Sequence, residues 1–234
     1  MTIDPGDFVI DAPEPLSSRA ANFLRTKARR QSFERGLAGE RLEAEIRKVY
    51  GKSNDSFVRR LGQLQARYGG LTYHSGFFDS EVRFNPQCEP DSPDEELEIL
   101  YAVETGGPIG ASVTLRGDVE VGLDELGTVE FSSLDNLIES DALHGEADLL
   151  AHSRRVYLEG ADMPEVLNRL VADAGLNLRQ VDEASSINCR WFEGDSVVVF
   201  ACSTWARLGL GMNPFISIWG DSEERVQQVE WLVI

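Results

Sequence analysis

The residues of this chain that could support covalent catalysis are few and scattered. Its histidines and cysteines number three each, namely His74, His144, His152, Cys88, Cys189 and Cys202. A nucleophilic Cys–His pair would need one of each beside an orienting acid, and the spacing does not favour such a meeting. The cysteines are odd in number and far apart, which does not suggest a disulfide framework. We therefore expect a protein that is not an enzyme.

Metal and phosphate sites are also not indicated. His144 and His152 are separated by a stretch that contains Glu146 and Asp148, but the His-Glu-x-x-His and Cys-x-x-Cys patterns of metal sites are absent. A solvated helix face explains these residues better. The segment 106–110 is rich in glycine, but it lacks the Gly-Lys-Ser/Thr ending of a phosphate loop and precedes a predicted strand. We expect a turn there, and neither a metal nor a cofactor.

Carboxylates are the abundant reactive groups, with 40 Asp and Glu residues. Choosing two of them as a catalytic acid and base would be arbitrary. The densest run spans residues 91–98 and includes Asp94, Glu95 and Glu96. This run is either a solvated loop before a strand or a mobile acidic lobe that docks on a basic partner. In the second case its charges would act mainly on association rate and specificity.

Charge is unevenly distributed along the chain. The net charge is −18, yet residues 17–70 hold 13 Lys/Arg against 5 Asp/Glu, and residues 71–234 hold 9 against 31. The acidic part would repel nucleic acid and anionic membranes and attract cationic partners. Solubility alone is an equally good explanation of the acidity. The composition therefore favours a protein partner, with no nucleic acid and no membrane.

The chain is expected to be cytoplasmic. No apolar run approaches the roughly 18 residues that a membrane-spanning helix needs. Residues 1–7 are acidic and lack the basic and apolar regions of a secretory signal.

Local patterns predict helices first and strands afterwards. Residues 1–16, with three prolines, predict an irregular acidic arm. Residues 17–50 predict two helices, with Ser17 or Ser18 as the cap, and a further helix should run from a cap at Ser53 or Asn54 to the glycines that follow Tyr68. Predicted strands follow at residues 71–73, 81–84, 98–103, 111–115, 119–123 and 128–131.

The second half is predicted to return to helices and then to strands. Helices are expected at 134–152 and at 162–175, the second with Asp162 and Glu165 in a capping arrangement. Strands are expected around Trp191 and at 197–200, 215–219 and 229–234, with a short charged helix at 222–228.

Short connections between strands indicate a mostly antiparallel central sheet with flanking helices, hence an α+β fold. The predicted organisation is an arm at 1–16, a domain at 17–184, and a strand-rich extension at 185–234 packed on the same core.

Three segments, in this order, resemble the SUKH superfamily over about residues 54–175. They are Tyr68-Gly69-Gly70-Leu71, Phe84-Asn85-Pro86 and the acidic hairpin 123–129, followed by the two predicted helices. The Leu-Pro step that often opens the core helix of the family is replaced by Leu64-Gln65. The N-terminal helix and the tail after residue 185 have no counterpart in the family.

The resemblance implies an immunity protein, an antitoxin that binds a cognate secreted bacterial toxin and occludes its active site. The toxin would be basic, and a nuclease would fit. The expected binding residues are two aromatic anchors and five acids: Phe77, Phe78, Asp94, Glu95, Glu96, Asp124 and Glu125. The alternatives are an intracellular scaffold or regulatory module, which the fungal members of the superfamily suggest, and an enzyme with a diffuse carboxylate site.

Overall fold

The computed structural model describes residues 8–123, 126–159 and 162–234. In these ranges, helices accompany two antiparallel sheets, one of seven strands and one of five. This arrangement confirms the predicted α+β class.

The chain divides into two compact units, Met1–Val129 and Glu130–Ile234. We call them the N-terminal unit and the C-terminal unit. The division does not coincide with the predicted boundary at 184/185, because residues 130–184 group with the strands that follow them. The C-terminal segment is therefore part of a larger unit, which has a hydrophobic cluster of its own.

Three helices open the N-terminal unit: α1 (Ser18–Lys27), α2 (Gly39–Tyr50) and α3 (Asp55–Tyr68). Two of the predicted caps are confirmed. The Oγ of Ser17 accepts a hydrogen bond from the backbone N of Ala20 at 3.1 Å, and Oδ1 of Asn54 accepts one from the backbone N of Phe57 at 3.1 Å. Each cap satisfies a backbone donor that the first turn of a helix leaves unpaired.

The step from α3 into the sheet requires glycine. Gly70 has φ +82°, and a Cβ at this position would lie 2.0 Å from the backbone O of Gln31. Its backbone N donates to the O of Phe84 at 2.8 Å. A side chain is therefore excluded both by the backbone conformation and by the close approach of another segment. The predicted Gly-Gly stop is confirmed.

The first sheet is a meander in which the order of strands follows the sequence. Its strands are β1 (Arg29–Arg30), β2 (Leu71–Ser75), β3 (Ser80–Arg83), β4 (Ile99–Thr105), β5 (Gly110–Val113), β6 (Val119–Leu123) and β7 (Leu126–Phe131). All except the two-residue β1 were predicted. Aromatic contacts join helix and sheet, since the ring of Phe23 on α1 lies 5.2 Å from that of Tyr73 on β2.

The C-terminal unit alternates strands and helices. Its elements are α4 (Leu134–Ala147), β8 (His152–Tyr157), α5 (Met163–Ala172), β9 (Arg179–Gln180), β10 (Cys189–Gly194), β11 (Val197–Cys202), α6 (Thr204–Arg207), β12 (Phe215–Gly220) and α7 (Glu223–Val233). The strands pair in the order β8-β12-β11-β10-β9. Buried residues of α5 and α7, such as Val166, Leu170 and Val229, share one hydrophobic cluster with Ile216 and Ile218 of strand β12.

Three local predictions for this unit were wrong. The helix predicted over 134–152 ends at Ala147, and His152 begins strand β8. The segment 229–234 is not a strand, because α7 continues to Val233 and buries its apolar residues with helical spacing. Asp162 precedes α5 as expected, but its side chain makes no capping hydrogen bond.

Among the helices of the described ranges, none combines the length and the apolar character that crossing a bilayer requires.

Candidate functional site: an acidic cleft

One face of strands β5 and β6 is buried and the other face is partly exposed. Buried residues alternate along both strands with half-buried ones, as expected of a sheet with a single covered face. The covered positions are Ala111, Val113, Val119 and Val121, and the open positions are Gly110, Ser112, Glu120 and Gly122.

The open positions form part of a cleft of about 580 Å³. Its acidic residues are Glu98, Glu104 and Glu120, and its large exposed apolar residues are Tyr101 and Leu126. We call this set of five residues the acidic cleft. All five belong to the N-terminal unit. The cleft thus places carboxylates beside an aromatic ring and an aliphatic side chain.

A β-bulge directs Tyr101 into the cleft. Ile99 pairs with Val113 and Val103 pairs with Ala111, so the register between β4 and β5 shifts between these two pairs. Tyr101 lies inside the shift with φ +52°, an unfavourable conformation for a bulky residue, and its side chain is 46% exposed. Bulges commonly redirect a side chain in this way at functional sites.

Glycines keep the cleft open. Gly110 and Gly122 face each other across β5 and β6, so this pair has no side chain to fill the space. A Cβ on Gly122 would lie 2.7 Å from the backbone O of Leu126, and a Cβ on Gly110 would lie 2.8 Å from that of Val103. Since both contacts are with backbone, neither position can accept a side chain without a local shift.

The carboxylates of the acidic cleft have a basic neighbour across the sheet, since Arg83 of β3 is the register partner of Glu104 of β4. Among the described residues, no Lys or Arg forms an ion pair with Glu98, Glu104 or Glu120. Burial raises the pKa of Glu98, the neighbouring Glu120 raises it further, and a hydrogen bond with Ser112 opposes both effects. A cation in the cleft would remove this repulsion, so the electrostatics favour a positively charged ligand.

A second, smaller cleft of about 260 Å³ adjoins the first. The two share Glu98 and Leu100, and the second also contains Glu95, Glu96 and Tyr50. Burial raises the pKa of Tyr50, and the negative charges of Cys88, Glu95 and Asp91 raise it further. The acidic surface therefore extends from the acidic cleft to the run that the sequence had singled out.

The structure places the seven predicted binding residues in three different environments. Glu95 and Glu96 are exposed and line the second cleft, with Asp94 exposed beside them. Phe77 is only 5% exposed and belongs to the core, so it is not available as an anchor. Phe78 is half-buried, with its ring 5.0 Å from that of Phe77. Asp124 and Glu125 lie outside the described residues.

Sequence reasoning missed the acidic cleft itself. Glu104, Glu120, Tyr101 and Leu126 were not predicted as binding residues, and Glu98 was considered only as the last residue of the acidic run 91–98. A signal for Glu120 was present, because Val119-Glu120-Val121-Gly122 alternates apolar residues with a carboxylate and a glycine. That alternation places Glu120 and Gly122 on the solvent side of a half-buried strand.

The C-terminal unit contains a contrasting polar cluster around Glu130. This side chain is fully buried and accepts hydrogen bonds from Oγ1 of Thr204 at 2.5 Å, from Nδ2 and N of Asn188 at 3.0 and 3.3 Å, and from Oγ of Ser186. Its acceptor capacity is met inside the protein. We therefore assign Glu130 a structural role.

Within the described ranges, no group of three or more His, Cys, Asp or Glu side chains is arranged to hold a metal ion. The carboxylates of the acidic cleft are instead spread over strands β4 to β6 and their flanks, which suits a broad ligand such as a protein surface.

Comparison with known proteins gives no relative from which a function could be transferred. No family model, no curated protein and no solved structure matches this chain.

Proposed function

We propose that this protein is a cytoplasmic immunity protein of the SUKH type, which binds a cognate secreted bacterial toxin and occludes its active site. The partner surface is basic, and a nuclease toxin fits best. The acidic cleft and the adjoining Glu95 and Glu96 form the binding surface. Binding alone accounts for the protection, so the protein needs neither a catalytic residue nor a cofactor.

The observation that supports this proposal is the concentration of carboxylates in an open cleft. Glu98, Glu104 and Glu120 line one cleft, and among the described residues none of them forms an ion pair. Burial and then the charge of Glu120 raise the pKa of Glu98. Holding such an arrangement costs stability in the free protein. A cationic partner offsets this cost on binding, because its positive charges pair with the carboxylates.

The apolar side chains of the acidic cleft supply the second requirement of a tight interface. Binding energy in protein complexes is usually concentrated in a few aromatic or apolar anchors surrounded by a polar rim. Tyr101 and Leu126 are 46% and 54% exposed. They replace Phe77 as candidate anchors, and an arginine of the partner could stack on the Tyr101 ring.

Occlusion follows from the charge of a nuclease active site. Such a site uses Lys and Arg to hold the phosphates of its substrate. Carboxylates in the acidic cleft would occupy the same positions and exclude the substrate. Long-range attraction between the net charge of −18 and a basic toxin would also speed association, an effect that salt weakens.

The test is affinity capture from lysate of the native host and from cells that express the neighbouring genes, with mass spectrometry of the retained proteins. We expect one tightly retained toxin-like domain, whose lethality falls when this protein is co-expressed. Recovery of housekeeping proteins, or of nothing, would contradict the proposal. Housekeeping partners in particular would favour the scaffold alternative.

A pair of charge reversals connects the captured toxin to the cleft. Glu98→Lys with Glu120→Lys should abolish protection. The matched control, Glu159→Lys with Glu165→Lys, makes the same charge change at two exposed sites of the C-terminal unit and should leave protection intact. Equal loss in both variants would show that only total charge matters.

A further inference from the structure

The cysteines Cys189 and Cys202 face each other in the C-terminal unit. Cys189 is the first residue of β10 and Cys202 is the last residue of β11, and the two are direct partners in the antiparallel register. Both thiols are free and both residues are buried. The pair is independent of the acidic cleft and has no part in the proposed function.

The backbone hydrogen bonds show which kind of cross-strand pair this is. Next to it, the N of Ser203 donates to the O of Asn188 at 3.0 Å, so Asn188 and Ser203 are the hydrogen-bonded pair. Cys189 uses its carbonyl on the opposite side, where it accepts from the N of Ser186 at 2.9 Å. Because the two kinds of pair alternate along antiparallel strands, Cys189 and Cys202 form a non-hydrogen-bonded pair.

This geometry brings the two sulfurs within reach of each other. In non-hydrogen-bonded pairs the Cα atoms are about 4.5 Å apart and the side chains point to the same face. A disulfide requires a Cα separation of about 4.4 to 6.8 Å. The pair therefore meets the distance requirement without a change in strand register.

We propose that Cys189 and Cys202 are an oxidative modification site, which a peroxide converts to a reversible disulfide across β10 and β11. One thiolate attacks a peroxide oxygen, the O–O bond breaks, and a sulfenic acid and water result. The second thiolate then attacks that sulfur, the S–O bond breaks, and a second water leaves. Two thiols lose two electrons and two protons, and one hydrogen peroxide becomes two waters.

The surroundings of the pair set how readily it reacts. Sγ of Cys189 lies 3.2 Å from Oγ1 of Thr204, which in turn donates to Glu130. Burial raises the pKa of Cys189, and the nearby Cys202 and Glu130 add to this effect. Burial opposes ionisation of Cys202 as well, but hydrogen bonds with Cys189 and Thr204 lower the pKa of Cys202, which makes it the first nucleophile of the pair. Because both residues are buried, oxidation proceeds slowly through transient opening of the strand ends.

The third cysteine is a poor competitor for the oxidant. Burial and then the charge of Glu89 raise the pKa of Cys88 to about 12. Replacing it, as Cys88→Ala, leaves the pair as the only thiols in the chain.

The experiment exposes the full-length Cys88→Ala protein to graded hydrogen peroxide under native conditions, then blocks remaining thiols in denaturant and measures intact mass. We expect a monomer lighter by two hydrogens, a peptide map that joins residues 189 and 202, and reversal by dithiothreitol. The oxidised form should melt about 5–10 °C higher, because the cross-link restricts the unfolded chain. Cys189→Ala and Cys202→Ala should each abolish the mass change.

Oxidation of a single cysteine to sulfinic acid, disulfides between two chains, or unchanged thiols after prolonged exposure would each overturn the proposal. The mapping needs only the protein that retains both cysteines, so the result remains decisive if a cysteine variant does not fold.

Discussion

The two units use the same residue, glutamate, in opposite ways. In the N-terminal unit Glu98 and Glu120 lie in an open cleft, where burial and then the charge of Glu120 raise the pKa of Glu98. Among the described residues, no base forms an ion pair with either of them. In the C-terminal unit Glu130 is fully buried and accepts hydrogen bonds from Thr204, Asn188 and Ser186. A buried carboxylate whose oxygens all accept hydrogen bonds stabilises the fold. A carboxylate that lies beside other carboxylates and has no ion pair is available to bind a partner.

The largest expected effect is on stability, and its absence would contradict the comparison between Glu120 and Glu130. Glu130→Ala removes the acceptor of the buried Thr204 hydroxyl and of the partly buried donors of Asn188 and Ser186, and it creates a cavity. We therefore expect a loss of about 3–5 kcal/mol in the free energy of unfolding. The matched variant Glu120→Ala should change it by less than about 0.5 kcal/mol, because Glu120 faces solvent. Urea titrations of both variants measure the difference. Equal losses would mean that Glu120 is as structural as Glu130.

The stability of the N-terminal unit is expected to depend on backbone contacts instead. Gly70→Ala places a Cβ 2.0 Å from the O of Gln31 at φ +82° and should cost about 2–4 kcal/mol. Gly51 has a similar φ of +71° but nothing within 4 Å of its Cβ, so Gly51→Ala should cost only about 1 kcal/mol. Thermal or urea unfolding distinguishes the two. Similar costs would assign the requirement for Gly70 to its φ alone.

A smaller effect concerns association with the toxin. The reversal Glu98→Lys with Glu120→Lys should slow association about tenfold at low salt, and the difference should shrink as salt is added. Stopped-flow kinetics with the captured toxin domain measures this. An association rate equal to that of the control variant Glu159→Lys with Glu165→Lys would remove the acidic cleft from the proposed interface.

The smallest expected effect is a change in the pH dependence of stability. The folded-state pKa of Glu98 lies above its ordinary value of 4.5, so the folded protein binds this proton more tightly than the unfolded chain does. Binding of this proton stabilises the folded state relative to the unfolded chain. This contribution to stability is complete below pH 4.5 and is lost as pH rises through the folded-state pKa of Glu98.

Glu98→Gln should therefore be more stable than the wild type at neutral pH, by an amount that shrinks as pH falls toward 4.5. The matched variant Glu165→Gln corrects for the loss of one negative charge from the chain. Unfolding curves between pH 4 and 7.5 (roughly the span in which a carboxyl with a raised pKa titrates) test this. A stability difference that stays constant across that span would contradict the raised pKa of Glu98. A gain in stability together with weaker toxin binding would support the acidic cleft as a binding site.

Much of the secondary structure was predictable because its causes are local. The caps at Ser17 and Asn54 accept hydrogen bonds from backbone groups three residues away. Helix α3 ends at two consecutive glycines, and the residues of β6 alternate between buried and half-buried positions. Segment 229–234 was misassigned because a short apolar run is compatible with either helix or strand. Its type is decided by the hydrophobic cluster of the C-terminal unit, in which Val226, Val229 and Val233 are buried.

By itself, the sequence determined the α+β class, the order along the chain of strands β2 to β7, and a strongly acidic composition. Only the tertiary structure decided which glutamates meet. Glu98 and Glu120 come together through the pairing of β4, β5 and β6, and Glu130 meets Thr204 across more than seventy residues of chain. Carboxylates look alike in a sequence, and their roles differ because burial, hydrogen bonding and neighbouring charge arise only when distant segments pack.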